Sequence, residues 1–169
     1  VRLVPQIDGG GQEGGLRSGT LNTPGIVGLA RAVEIAVTEM PAEATRLALL
    51  RNRLNEGLLG AIDEVSLNGP SLALLDFRLA GNLNLSFAGV DGEALMMSMK
   101  RLAVSSGSAC TSANPEPSHV LRALGLSDDL TRASLRFGLG RFNTAEEVET
   151  AIVAVAETVR RLRQLSRST

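Results

Sequence analysis

Residues 82–87 read NLNLSF, and apolar and polar residues alternate along the whole run. Leu83, Leu85 and Phe87 share one face of an extended chain, because successive side chains of a strand point to opposite sides. The two asparagines and the serine between them share the other face. The run therefore predicts a strand with one buried face and one polar face.

Outward from this strand, the pattern changes between strand-like and helical spacing in both directions. Further strands are predicted at 65–67, 102–104 and 134–139. A helix is predicted over about 24–39, with Thr23 as its N-cap and Pro41 as its end. Four more helices are predicted: one over 47–58, one that begins at Asp91, one over 117–124, and one that begins at the capping box of residues 144–147. The sequence thus predicts an α/β (α+β) fold with a small sheet flanked by helices.

The chain has 169 residues, a formal net charge of −1 and 44% hydrophobic residues, as expected for one soluble globular domain. Only 2% of the residues are aromatic and no basic stripe is present, which argues against nucleic-acid binding. No apolar run reaches the length of about 18 residues that a membrane span needs. The single cysteine, Cys110, cannot form an internal disulfide. We therefore expect a cytoplasmic protein without nucleic-acid or membrane partners.

The segment 9–20, GGGQEGGLRSGT, contains six of the 18 glycines together with an arginine, a serine and a threonine. Glycines let backbone N–H groups approach an anion, and Arg17, Ser18 and Thr20 add charge and hydroxyl donors. The segment is neither a P-loop nor a dinucleotide fingerprint. Its two interpretations are a phosphate cradle and a flexible loop or hinge.

The segment 105–113, SSGSACTSA, surrounds Cys110 with small residues. Such a loop could present the thiol without steric obstruction and carry it between two sites. The alternative is that Cys110 is a small buried hydrophobic residue without reactivity.

Two further polar residues are candidates for chemistry. Arg136 lies in the middle of the alternating run of residues 134–139. Its guanidinium could bind a carboxylate through two hydrogen bonds. The alternative is an arginine on the solvent-exposed face of an edge strand. His119, the only histidine, could donate a proton or have a structural role, and with one cysteine it makes no metal site.

Four segments together resemble the C-terminal part of a cysteine desulfurase of the NifS/IscS type, a pyridoxal-phosphate (PLP) enzyme of fold type I in the class V aminotransferase group. They are GGGQE through RSGT (9–20), SSGSACTS (105–112), EPSHVLRALG (116–125) and SLRFGLGR (134–141). The order and spacing of the four follow the family along the whole chain. The resemblance implies the small C-terminal domain of a fold-type I transferase, preceded by a linking helix.

The resemblance also implies a role for three residues. Cys110 would be the nucleophile that takes sulfur from L-cysteine, leaving L-alanine and an enzyme persulfide. Arg136 would bind the substrate carboxylate, and the Thr20 hydroxyl would reach the PLP phosphate of the other subunit of a homodimer. The persulfide would pass to an iron–sulfur scaffold or another acceptor. The role of His119 stays open.

The resemblance further divides the chain into two parts. Residues 1–40 would be the glycine-rich phosphate-facing loop and the linking helix from the end of the large domain, and 41–169 the small domain with the cysteine loop. The family's PLP-binding lysine lies upstream of the glycine-rich segment, and the only lysine here, Lys100, stands in no such motif. We therefore expect the chain alone to bind no PLP and to be inactive.

Two alternatives to this function remain. One is selenocysteine lyase or another fold-type I PLP enzyme. The other is a non-catalytic sulfur carrier or interaction module that uses only Cys110.

Overall fold

The computed structural model describes residues 3–106 and 116–167. Two compact units make up the fold, Val1–Met40 and Pro41–Thr169, and each is described by itself. In chain order the elements are α1 (Thr23–Ala61), β1 (Val65–Leu67), β2 (Asn82–Phe87), α2 (Gly92–Ser98), β3 (Ser105–Ser106), α3 (His119–Ala123), α4 (Asp128–Arg132), β4 (Ser134–Gly138) and α5 (Ala145–Arg167), with single 3₁₀ turns at Gln12–Gly15 and Leu75–Phe77. Among the helices of the described ranges, none is both long and apolar enough to cross a membrane.

The first unit contains the glycine-rich loop and the beginning of α1. Asn22, and not Thr23 as predicted, caps this helix: its Oδ1 accepts a hydrogen bond from the Gly25 N–H at 3.1 Å, and its carbonyl accepts from the Ile26 N–H at 2.9 Å. The apolar residues at helical spacing are all exposed, because no second helix or strand of the described part of this unit covers them: Ile26, Val27, Val33 and Val37.

Helix α1 continues through Pro41, so the prediction of two separate helices is wrong. Proline removes the N–H that would bond to the Val37 carbonyl and normally kinks or ends a helix. Both Val37 and Pro41 are exposed here, so water can bond to that carbonyl instead. Thr45 Oγ1 donates to the Pro41 carbonyl at 3.0 Å, which satisfies one more acceptor near the interruption.

The second unit is built on a four-stranded antiparallel sheet with the order β1-β2-β4-β3. The last strand in sequence, β4, therefore lies inside the sheet. The two longest strands pair along their length, from Asn82 opposite Gly138 to Ser86 opposite Ser134. This confirms the predicted fold class and the strands β1, β2 and β4.

The apolar face of the sheet packs against α1, α2 and α5 to form the core. Leu83, Leu85 and Leu135 are at most 1% exposed. The helices contribute Leu54, Leu58, Leu95, Val148, Val155 and Val159 to the same cluster. The capping box that opens α5 is present, since the Glu147 N–H donates to Thr144 Oγ1 at 3.2 Å and the Thr144 N–H donates to Glu147 Oε2 at 3.1 Å.

Two short elements differ from the sequence prediction. The third strand is Ser105–Ser106 and not 102–104, because Ser105 and Ser106 find backbone partners in β4, whereas Leu102 and Val104 pack their side chains against the core. Helix α4 was not predicted. It is a single turn of mostly polar residues, begun by the Ser127 hydroxyl that accepts from the Leu130 N–H.

Candidate substrate site on the polar face of the sheet

The face of the sheet opposite the core is polar across three strands. Residues directly opposite each other in antiparallel strands point to the same side. The register therefore places one row across the sheet, from Asn84 in β2 to Arg136 in β4 to Ser105 in β3. Asn68 extends this row past the end of β1, since its N–H donates to the Asn84 carbonyl at 3.0 Å.

Arg136 is the only charged residue of this row and stands on an inner strand. It is exposed, and it makes no hydrogen bond or ion pair with any residue of the described ranges. The interpretation of Arg136 as an edge-strand residue is wrong, because β4 has a neighbour on each side. A guanidinium whose N–H groups bond to no residue of the described ranges, on a polar surface, is suited to bind a carboxylate.

A polar network that was not predicted from the sequence joins two residues of this row, Asn68 and Asn84, to the buried Ser86 and Ser134 on the same face. Asn68 Nδ2 donates to Asn84 Oδ1 at 2.6 Å and to Ser86 Oγ at 2.8 Å. The hydroxyls of Ser86 and Ser134 are 2.8 Å apart, and Ser134 Oγ donates to the Leu130 carbonyl at 2.7 Å. The network fixes the side-chain amide of Asn84 beside Arg136. The sequence feature that could have indicated this network is the pair of serines on the polar side of the two alternating strands, Ser86 near the end of β2 and Ser134 at the start of β4.

The glycine-rich loop of the first unit uses most of its polar side chains to fold itself. Arg17 Nη1 donates to the carbonyls of Gly19 and Thr20 at 3.2 and 3.1 Å, and the buried Ser18 donates to the Gly10 carbonyl at 2.7 Å. Gln12 Oε1 accepts from the Gly19 N–H at 3.2 Å. Thr20 is exposed, and its hydroxyl has no hydrogen bond within the described residues. Of this segment, the Thr20 hydroxyl and the Nε and Nη2 groups of the exposed Arg17 have no hydrogen bond within the described residues and could meet an anion.

The structure places the other predicted site residues as follows. Cys110 lies outside the described residues. Lys100 is exposed directly after α2, and His119 is exposed as the first residue of α3, next to the cap Ser118. Within the described ranges, no group of three or more His, Cys, Asp or Glu side chains could hold a metal ion.

Comparisons with known proteins agree with these features. Residues 7–150 match the family described as aminotransferase class-V. The chain is 58% identical over 166 residues to a cysteine desulfurase IscS of Anaeromyxobacter sp. (strain K), and it spans about 40% of the length of that relative.

Solved structures show the same likeness. A NifS-like protein aligns with a TM-score of 0.77 at 35% identity, over 96% of this chain and 40% of that one. A structure titled "SspA in complex with cysteine" aligns with a TM-score of 0.50 at 33% identity, over 84% of this chain and 37% of the other. The family match over residues 7–150 and the structural alignments lead to one conclusion: the chain belongs to the aminotransferase class-V family.

Proposed function

We propose that this chain is the C-terminal part of a PLP-dependent cysteine desulfurase, which takes sulfur from L-cysteine and leaves L-alanine. The curated relatives that support this proposal bear the name cysteine desulfurase IscS, and one structural neighbour is titled as a complex with cysteine. The cytoplasmic location and the homodimer predicted from the sequence belong to the same proposal.

The observation that carries the proposal is the position of Arg136. Its guanidinium is exposed, unpaired within the described residues, and flanked in register by Asn84 and Ser105. An amino-acid substrate brings an α-carboxylate, which an arginine binds through two parallel charge-assisted hydrogen bonds. Arg136 would therefore orient L-cysteine, and the polar groups beside it would accommodate the carboxylate.

Cys110 supplies the nucleophile in this proposal. Its place in the sequence supports the role, since it follows Ser106 by four residues and a chain extends by at most about 3.6 Å per residue. Four residues of fully extended chain span at most about 14 Å between Cα atoms, so the sequence keeps Cys110 within that reach of β3, the strand beside Arg136. Its thiolate forms a sulfur–sulfur bond with the substrate while the bond between Cβ and sulfur of the substrate breaks. The electron pair of that bond leaves with Cβ, and a proton completes alanine.

The residues of this chain fit one part of a PLP site. The free hydroxyl of Thr20, at the end of the glycine-rich loop, is suited to donate to the phosphate of the cofactor held by a second subunit. PLP supplies the electron sink for breaking the bond to sulfur. Lys100, the only lysine of the sequence, is exposed two residues after the end of α2.

The persulfide on Cys110 would then pass to an acceptor such as an iron–sulfur scaffold. The small residues on both sides of Cys110 support this step, because they allow a sulfur acceptor to approach the persulfide. The acceptor would receive the outer sulfur and Cys110 would return to the thiolate.

The test uses the natural gene product that contains this chain, purified with PLP and supplied with L-cysteine and a thiol reductant. We expect release of alanine and sulfide in equal amounts, and loss of both in Cys110→Ala. Selenocysteine as a parallel substrate separates a desulfurase from a selenocysteine lyase. Alanine release that persists in Cys110→Ala would overturn the proposal, and so would a gene product that shows no turnover of L-cysteine.

A further inference from the structure

A buried arginine in the second unit has no acidic partner. Arg51 of α1 is 0% exposed. Its Nε and Nη2 donate to Asn52 Oδ1 at 3.2 and 2.9 Å, and Nη2 also donates to the Leu72 carbonyl at 3.1 Å. Its Nη1 is buried and has no hydrogen-bond partner. A guanidinium is always charged at neutral pH, so this side chain brings a full positive charge into the interior.

A second arginine holds the other end of the same loop. Arg78 Nη2 donates to the Asn68 carbonyl at 2.9 Å, while its Nε and Nη1 are buried without partners. The turn at Gly69 makes this approach possible: φ is +87°, and a Cβ there would lie 3.2 Å from Arg78 Nη2. The two guanidinium groups thus hold opposite ends of the loop of residues 68–72, and three of their nitrogen atoms are unsatisfied.

The two charges act on each other. Burial lowers the pKa of both arginines, and the positive charge of Arg78 lowers the pKa of Arg51 further. The ion pairs of the described ranges involve Arg31, Arg46, Arg53 and Arg122, and neither Arg51 nor Arg78 is among them. Arg51 is fully buried and Arg78 is half-buried. Two like charges partly removed from water, with no counter-charge among the described residues, are unfavourable because their desolvation has no compensating attraction.

We propose that Arg51 and Arg78 form a binding site for a small tetrahedral oxyanion of the phosphate type, covered by the loop of residues 68–72. Water could satisfy single donors but would leave both charges uncompensated. A phosphate offers several acceptor oxygens and up to two negative charges to the three free nitrogen atoms. Asn55 lies one turn after Arg51 on α1, and its buried Oδ1 also lacks a partner, so hydrogen phosphate can donate its remaining O–H there.

The test titrates inorganic phosphate into the 169-residue chain by calorimetry, without PLP or cysteine, with chloride at the same ionic strength as the reference. We expect saturable binding of phosphate that chloride does not reproduce. Arg78→Gln should weaken phosphate binding at least about tenfold, the loss expected when a charged hydrogen-bond donor is removed. Arg161→Gln, an exposed arginine of α5, should leave it unchanged. Titration with glycerol 3-phosphate then tests whether the site also accepts phosphate esters. Binding of the ester indicates an open site, and no binding indicates a site that admits only the free ion; either result is consistent with an oxyanion site.

A second measurement covers the case in which Arg78→Gln does not fold. Arg78→Lys keeps the charge but loses the planar set of donors, and it should also weaken binding. In phosphate-free buffer, the melting temperature of Arg78→Gln shows whether this variant folds. It should lie near that of the parent, because the lost hydrogen bond to the Asn68 carbonyl is offset by the removal of like-charge repulsion. Phosphate binding equal to that of chloride, or unchanged in both Arg78 variants, would overturn the site. Since no step uses Cys110 or PLP, this result is independent of the proposed desulfurase activity.

Discussion

Asn84 and Arg136 stand directly opposite each other on adjacent strands, and Asn68 holds the Asn84 side-chain oxygen at 2.6 Å. The amide of Asn84 is therefore oriented, while the guanidinium beside it bonds to no residue in the part of the chain that the structure describes. A neutral side chain held in place thus lies beside an exposed positive charge. Single substitutions at either residue should change what this face binds without changing the core.

Removal of the charge at Arg136 should impair substrate binding. For the natural gene product that contains this chain, the proposed function predicts that Arg136→Gln raises the KM for L-cysteine about a hundredfold, because a bound carboxylate would lose two charge-assisted hydrogen bonds. Steady-state alanine release measures this effect. Arg161→Gln is the matched control on α5. An unchanged KM in Arg136→Gln would show that the carboxylate binds elsewhere.

A carboxylate introduced at Asn84 should compete with the substrate. Asn84→Asp places a negative charge opposite Arg136, so we expect a KM about tenfold higher with a nearly unchanged melting temperature. Asn82→Asp is the control, since Asn82 lies opposite Gly138 on the same face. Equal effects of the two variants would indicate a general charge effect rather than pairing with Arg136.

The buried network should contribute to stability. Ser134→Ala removes one of the partners of the Ser86 hydroxyl, which keeps its hydrogen bonds with Asn68, and it removes the donor to the Leu130 carbonyl. It should cost about 1–3 kcal/mol in the free energy of unfolding by urea. Ser66→Ala, on the same face but exposed, should change stability by less than about 0.5 kcal/mol. Comparable losses in the two variants would contradict a special role of the network.

Pro41 interrupts the hydrogen bonds of α1 in its interior. Pro41→Ala should stabilise the helix by up to about 3 kcal/mol, seen as greater helical ellipticity and a higher urea midpoint. Pro24→Ala is the control, because Pro24 lies in the first turn, where its missing N–H costs nothing. A destabilised Pro41→Ala variant would show that the interruption is needed for the fold.

The capping box predicts a dependence on pH. Hydrogen bonds from the Asn143 side chain, and then from the Thr144 N–H, lower the pKa of Glu147. A carboxyl group whose pKa is lower in the folded state stabilises the fold above its unfolded pKa of about 4.3, and this contribution is lost as the pH falls through the folded value. Glu147→Gln should therefore reduce stability at pH 7, and the difference from the parent should shrink as the pH is lowered below about 4.3. Glu146→Gln is the neighbouring control, and NMR titration of Glu147 measures its pKa directly.

The sequence predicted the fold where local pattern and tertiary packing agree. The alternation in residues 82–87 gave β2 with the observed bounds, and the capping box at Thr144 gave the start of α5. The sequence pattern misplaced β3. Ser105 and Ser106 form this strand because they pair with Arg136 and Leu135 of β4, and such pairing between distant segments is not visible in the local pattern. The sequence also predicted a helix end at Pro41, whereas α1 continues through it. The helix tolerates this proline because Val37 and Pro41 are exposed to solvent, which the sequence pattern does not reveal.

The site was predictable to a similar extent. Arg136 stood out as a charge within an apolar alternation, and the structure shows it exposed and unpaired within the described residues. The arginines Arg51 and Arg78 gave no such signal, because their burial follows from a loop that bends back over α1. From the sequence, Asn68 is an ordinary turn residue. Its place in the polar network follows from its position beside Asn84 in the sheet, which the local sequence pattern does not predict.

The inner position of β4 has a consequence for the order of folding during synthesis. β2 can pair with β1 as soon as both have left the ribosome, but β3 pairs with β4 alone and must wait until residue 138 has emerged. The strand that bears Arg136 thus closes the sheet last and across a large sequence separation, which slows folding. Until then the β2 edge stays open to other chains, so slow translation or early termination before β4 should expose this protein to aggregation.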